Sequence, residues 1–139
     1  MASKIFLDAN ILLDFTLKRG SYHASQQLIE RIVDGEFQAY ITPAIVHITG
    51  YWLGKTYSKI KTKEILLELL VDIKVIDCKH DQVINALHSA MTDIEDALQY
   101  YTALHHKIDY FISCDKHLKK AAIPSLPVYL PEEFLAKFI

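Results

Sequence analysis

The hydrophobic pattern along the chain alternates between two kinds of segment. Lys4-Ile-Phe-Leu-Asp8, Phe37-Gln-Ala-Tyr-Ile41, Lys74-Val-Ile-Asp77, Tyr110-Phe-Ile-Ser113 and Pro127-Val-Tyr-Leu130 are short apolar runs, suited to buried strands. Between them, apolar residues recur every three or four positions, as on one face of a helix. Ile11, Leu12, Phe15 and Leu17 form the first helical segment. Ser21 is placed to cap a second, which carries Ala24, Leu28, Ile29, Ile32 and Val33 and ends at Gly35. Pro43 suits the first turn of a helix running through Trp52 to about Tyr57. Thr62 is the expected cap of a helix with Ile65, Leu66, Leu69 and Leu70, and Asp81 of one through Val83, Ile84 and Leu87. Thr92-Asp-Ile-Glu95 has the S/T-x-x-E spacing of a capping box, opening a helix to about His106. Two short helices, Lys116 to Ala121 and Glu132 to Phe138, complete the series.

Strands alternating with helices predict parallel pairing through right-handed crossovers, with helices on both faces. The expected fold class is α/β: a three-layer α/β/α sandwich around a central, mostly parallel sheet of about five strands. A length of 139 residues sets one domain, 1–139. A hydrophobic content of 51% against 23% charged excludes a disordered chain. Only 4 glycines are present, and Gly20, Gly35, Gly50 and Gly54 are too scattered for G-x-G-x-x-G. Gly50-Tyr-Trp-Leu-Gly54-Lys-Thr56 falls one spacer short of a phosphate-binding loop, and its spacers are bulky. Nucleotide binding there is not expected.

Charge narrows the partners. A net charge of −2 gives no global attraction to nucleic acid, which leaves only local patches. Cys78 and Cys114 form no C-x-x-C, as suits a reducing compartment. The first residues reach a charge too soon for a signal peptide, and no apolar run is long enough to span a bilayer. A cytoplasmic protein with no membrane segment is the expectation.

The chemistry concentrates in carboxylates. Asp8 ends the first strand, and Asp115 lies two residues beyond Phe111-Ile-Ser113. Asp93 and Asp96 share a face in the first turn of a helix. In open parallel sheets the functional crevice lies beyond the carboxyl ends of the strands, where these acids can converge. The alternative is that each is simply a helix cap or dipole partner. A converging cluster must protonate, spread apart or hold a cation, because two carboxylates about 4 Å apart repel by roughly 4 kcal/mol at an effective dielectric near 20. Hard oxygen donors without Cys or His partners favour Mg²⁺ or Mn²⁺, as in nucleases that activate water at a phosphodiester.

Four segments, Phe6-Leu-Asp-Ala-Asn-Ile-Leu-Leu-Asp14, Asp93-Ile-Glu-Asp-Ala-Leu98, Phe111-Ile-Ser-Cys-Asp115 and Leu130-Pro-Glu-Glu-Phe-Leu135, together resemble a PIN domain. They are most similar to a bacterial subgroup akin to VapC-type toxin ribonucleases. The resemblance spans nearly the whole chain, with its signatures in order. It implies a Mg²⁺- or Mn²⁺-dependent endoribonuclease acting on single-stranded RNA, homodimeric and paired with an antitoxin. By motif, Asp8 and Asp96 resemble the first and third family acids, and Asp115 the fourth. Asp8, Asp96 and Asp115 are then the catalytic metal ligands, expected close enough to share one cation, with Asp93 assisting through water. Asn10 and Ser113 match the flanking polar positions.

The family also places a glutamate early in the helix after the second strand. Here no acid occurs between Glu36 and Glu64. His47 is the nearest polar residue, but on the apolar face Ile45-Val-His-Ile48 its expected role is a buried one in the core. Asp93, or Asp14 four residues after Asn10, are the acids nearest to hand, although Asp14 reads more simply as a helix-surface residue. The acid-free stretch carries Lys55, Lys59, Lys61 and Lys63, with Tyr51, Lys55 and Lys59 at i, i+4 spacing. Basic charge interleaved with aromatics suits single-stranded RNA, and the bland alternative is a solvated lysine face. Lys116, beside Asp115, is a second possible phosphate contact. Two other functions remain open: a PIN-like RNA- or protein-binding regulatory module with weakened catalysis, and a metal-dependent phosphatase. The phosphatase would want Asp-x-Asp where this chain has Asp8-Ala-Asn10.

Overall fold

The computed structural model describes residues 2–138; Met1 and Ile139, the two ends of the expected domain, lie outside them. Five strands, β1 (Ser3–Leu7), β2 (Phe37–Ile41), β3 (Ile73–Val75), β4 (Tyr110–Ile112) and β5 (Val128–Tyr129), form one sheet in the order β3-β2-β1-β4-β5. All four pairings are parallel, so the sheet is parallel throughout. Parallel neighbours need long crossovers, and helices supply them. The first two crossovers are α1 (Ala9–Leu17) with α2 (Tyr22–Val33), then α3 (Pro43–Leu53) with α4 (Lys59–Leu69). The third holds α5 (His80–His88) with α6 (Ile94–His105), and α7 (Lys116–Ala121) makes the fourth. α8 (Pro131–Phe138) follows β5 and packs back on α2. The chain steps from β1 to β3 in one direction and then returns across the sheet to β4 and β5. Right-handed crossovers therefore set α1–α4 on one face and α5–α7 on the other, which gives the three-layer sandwich.

The core is built around β1, where Ile5, Phe6 and Leu7 have no exposed surface. Phe6 stacks on Phe111 of β4 with ring centroids 4.8 Å apart, and Tyr100 of α6 lies 5.8 Å from Phe111. The Tyr100 hydroxyl donates to the Leu126 carbonyl (2.6 Å) and accepts the Ile123 N–H (2.8 Å). α6 is thus fixed to the segment leading into β5. Among the described residues no helix is long and apolar enough to cross a membrane.

Several boundaries differ from the sequence expectation, for local reasons. Helix α3 stops at Leu53, with the Gly54 N–H returning to the Gly50 carbonyl, and α4 begins only at Lys59. Ser58 caps α4 through the Lys61 N–H (3.1 Å), because Lys59-Ile-Lys61 are good enough helix formers to extend the helix back past Thr62. Thr62 lies buried inside α4. Helix α5 starts from Lys79 rather than Asp81, with the Lys79 N–H held by the Gln82 side chain (3.0 Å). Helix α6 is capped by Asp93 rather than Thr92. A carboxylate is the stronger acceptor of the two.

Removing the Tyr100 hydroxyl strands the buried Leu126 carbonyl and the part-buried Ile123 N–H. Tyr100→Phe should lower unfolding stability by about 1–3 kcal/mol in urea titrations; unchanged stability would show that the hydroxyl does not hold α6.

Candidate functional site

In the order β3-β2-β1-β4-β5 the crossovers leave β1 and β4 in opposite directions, which opens a crevice beyond their carboxyl ends. Asp8 follows β1 there, and its N–H continues the ladder to the Ile112 carbonyl at 3.0 Å. Ser113 and Asp115 follow β4. The fully buried Ser113 hydroxyl donates to Asp8 Oδ2 (2.8 Å) and accepts the Asp115 N–H (3.0 Å). One side chain thereby fixes both strand ends relative to each other.

Three of the acids are also helix caps. Asp8 Oδ1 accepts the Ala9 N–H at the start of α1 (2.8 Å), and Asp93 Oδ1 accepts the Asp96 N–H at the start of α6 (2.9 Å). Asp115 Oδ1 accepts the His117 and Leu118 N–H groups at the start of α7 (2.8 and 3.4 Å). Capping and convergence are therefore not alternatives. Each cap occupies one oxygen, and the positive ends of three helix dipoles face the clustered acids.

The cleft has a volume of about 400 Å³. Asp8, Asp93, Glu95, Asp96 and Asp115 line it, with Asn10 and Arg19 beside them and Ile48 and Trp52 of α3 as its apolar wall. The crowding shows in the proton equilibria. Burial, then repulsion from Asp93, Asp8 and Asp115, pushes the half-buried Asp96 carboxyl up to about 7, and a hydrogen bond shared with Asp115 adds to the shift. Burial also raises Asp8, against the Ser113 and Ala9 hydrogen bonds, which favour its ionised form. Glu95 is raised by partial burial and by the charges of Asp8 and Asp93. The acids border one cleft without closing on a point: among the described residues, no three His, Cys, Asp or Glu side chains are gathered tightly enough to hold an ion as they stand.

Other residues from the sequence fall elsewhere. His47 is exposed, not buried in the core, and does not line the cleft. The face that α3 turns to the cleft is Ile48 and Trp52, one turn apart, and carries no acid. Asp14 is not a surface residue but is buried, accepting the Ser21 N–H at 3.1 Å. Lys55 and Lys59 do not share a helix, because the chain turns between α3 and α4. Lys55 lies over the Tyr51 ring (4.7 Å), and Lys59 and Lys116 are exposed first residues of α4 and α7. None of the three lysines lines the cleft. Burial pushes the Cys114 thiol up to about 11, helped by the nearby Asp14 charge, which leaves it unreactive.

Two lining residues escaped the sequence. Glu95 fits the spacing of a capping box; with Asp93 as the cap it is free of that role and borders the cleft. Arg19 lies in the α1–α2 turn, where spacing carries no signal.

A family model described as the PIN domain matches residues 4–117. No curated protein matches the chain in sequence. Among solved structures, the fold is similar to VapBC2 from Rickettsia felis bound to a DNA fragment from its promoter: TM-score 0.70, 14% identity, covering 91% of this chain and 98% of that one. It is similar to a toxin–antitoxin complex from Klebsiella pneumoniae, with TM-score 0.69, 19% identity, and coverage of 91% and 97%. It is also similar to VapC20 of Mycobacterium tuberculosis, described as a toxin cleaving the sarcin–ricin loop, with TM-score 0.66, 12% identity, and coverage of 87% and 97%. At these identities the likeness is one of fold.

The raised acids have a signature in metal-free protein. The folded state holds the Asp96 proton up to about 7, against 3.8 for an ordinary aspartate. The stabilisation linked to that proton is complete below about 3.8 and disappears as pH rises through 7. In EDTA, Asp96→Asn should match wild-type stability near pH 4 and exceed it above pH 7, by about 1 kcal/mol after allowing for solvent screening. Parallel stability–pH curves for the two proteins would contradict the crowding.

Proposed function

The chain belongs to the PIN-domain family, and from that premise we propose that it is a metal-dependent endoribonuclease cutting single-stranded RNA, the toxin of a toxin–antitoxin pair. The observation that carries this reading is the lining of one cleft by five carboxylates, three of them raised towards protonation by burial and then by the charges of their neighbours. The donor set fits a hard divalent cation: the cleft is lined by carboxylates and an amide, with no Cys or His among them. Asp8, Asp96 and Asp115 would hold Mg²⁺ or Mn²⁺, with Asp93 assisting through water. Such an ion, when bound, supplies Lewis-acid activation and charge neutralisation at the phosphodiester.

The chain's own residues prepare that chemistry. Ser113 orients the Asp8 carboxylate and favours its ionised form. Burial and the neighbouring acids raise the Asp96 carboxyl to about 7, and a cation in the cleft would favour its ionised form. Asn10, exposed at the rim, offers an amide to substrate oxygens, and Trp52 and Ile48 offer an apolar wall to a base. Lys55, Lys59 and Lys116 serve flanking phosphates outside the cleft. Glu95 stands in for the family glutamate that α3 lacks, alongside Asp93. An antitoxin partner belongs to the same reading, supported by the likeness to toxin–antitoxin complexes; a homodimeric assembly and a cytoplasmic location are parts of the proposal. The acid-free α3 wall favours one other reading, a PIN-like module that binds RNA without cutting it.

Purified protein in Mn²⁺ should cleave single-stranded RNA, and Asp8→Asn should abolish cleavage while circular dichroism shows an intact fold. Cleavage that survives EDTA or Asp8→Asn would rule the mechanism out; binding without cleavage under any metal would favour the binding module.

The stand-in role of Glu95 separates cleanly from that of His47. Glu95→Gln and Asp93→Ala should each weaken Mn²⁺ affinity roughly 10–100-fold by calorimetry, and His47→Ala should leave it unchanged. If His47→Ala loses the metal while both acid variants keep it, the roles are reversed.

A further inference from the structure

We propose that Arg19 is the residue by which the cleft grips a substrate phosphate, and that Asp14 holds it there; the inference rests on the nucleic-acid reading of this site. Five carboxylates and one cationic side chain line the cleft, and that cation is Arg19. A phosphodiester entering such a wall meets repulsion from every side but this one and any bound cation. The lysines singled out by the sequence lie outside the cleft, so none of them fills this role at the scissile position.

The turn around Arg19 is constructed to present it. The buried Asp14 carboxylate accepts the Ser21 N–H (3.1 Å) through Oδ2 and meets Arg19 Nε at 3.4 Å through Oδ1. The Asp14 carbonyl accepts the backbone N–H groups of both Lys18 and Arg19. Lys18 and Gly20 flank Arg19 with φ of 53° and 52°. A Cβ on Gly20 would fall 3.0 Å from both Asp14 carboxylate oxygens, so glycine is needed for the turn to close this tightly. Residues 18–21 are wrapped around one buried carboxylate, and the Arg19 side chain, 48% exposed, reaches the cleft. Its ion pair uses Nε; among the described residues no hydrogen bond engages the two Nη groups. A guanidinium tethered by Nε offers those groups as a planar fork to two phosphate oxygens.

Trp52 is the chain's single tryptophan and lines the same cleft, so its emission reports occupancy. In the Asp8→Asn background, a single-stranded RNA oligonucleotide is titrated in Mn²⁺ at several salt concentrations, following Trp52 emission. Adding Arg19→Ala should weaken binding roughly tenfold and lower the slope of log affinity against log salt by about 0.7, the mark of one lost phosphate contact. Arg19→Lys should keep the slope while losing part of the affinity, an outcome that a merely structural role would not produce. Asp14→Asn should weaken binding with the fold intact by circular dichroism, and unchanged binding would remove Asp14 from the account. If Arg19→Ala leaves affinity and slope unchanged while wild-type protein cleaves RNA, the anchor is wrong and the nuclease reading stands. If the slope falls but wild-type protein cleaves nothing, the anchor stands and the nuclease reading fails. If neither wild-type protein in EDTA nor the Asp8→Asn protein binds RNA even at low salt, and wild-type protein cleaves none, both fail.

Discussion

The burial of carboxylates along one cleft, and their repulsion of one another, is the constraint on which the site depends. Two such groups about 4 Å apart cost roughly 4 kcal/mol at an effective dielectric near 20. The fold offsets part of this with three helix N-termini, each contributing about 0.3–1 kcal/mol, and with the Ser113 hydrogen bond to Asp8. Burial, and then the repulsion that is left, favours proton binding, most visibly at Asp96, whose carboxyl is raised to about 7. A site held in this condition has an unmet demand for positive charge. On the proposed reading a divalent cation would meet that demand from solution and Arg19 from the chain, which is why both belong to one functional account.

The topology makes the cluster possible. β1 and β4 are neighbours in space but more than a hundred residues apart in sequence, and their parallel pairing puts both carboxyl ends on the same edge. Ser113 then ties the two ends together, its hydroxyl donating to Asp8 Oδ2 and accepting the Asp115 N–H. Helix α6 brings the remaining acids and is held in place from the other side by the Tyr100 hydroxyl. Fully apolar packing beneath, centred on Phe6 and Phe111, gives the acids a rigid floor.

Much of this was legible in the chain itself. Apolar runs marked all five strands, and Asp8, Asp93, Asp96 and Asp115 were readable as strand-end and helix-start acids that meet at one edge. What escaped depended on competition between neighbours or on distance. Thr92 and Asp93 both suit a cap, and the one-residue shift to Asp93 decides whether Glu95 is a capping partner or a cleft acid. The Tyr51, Lys55 and Lys59 periodicity failed because a turn interrupts the helix that it assumed. His47 followed an apolar face that is only partly buried. Arg19 and Asp14 meet across a turn whose left-handed backbone at Lys18 has no signature in a lysine.

The central claim is that these carboxylates form a cation site whose crowding the ion relieves. Its most direct measurement is the anomalous difference density of a crystal soaked in Mn²⁺. The account predicts one strong peak in the cleft, bounded by Asp8, Asp96 and Asp115, with the Asp8–Ser113 hydrogen bond retained. A map with no peak in the cleft, or with Mn²⁺ bound only elsewhere on the molecule, would contradict it.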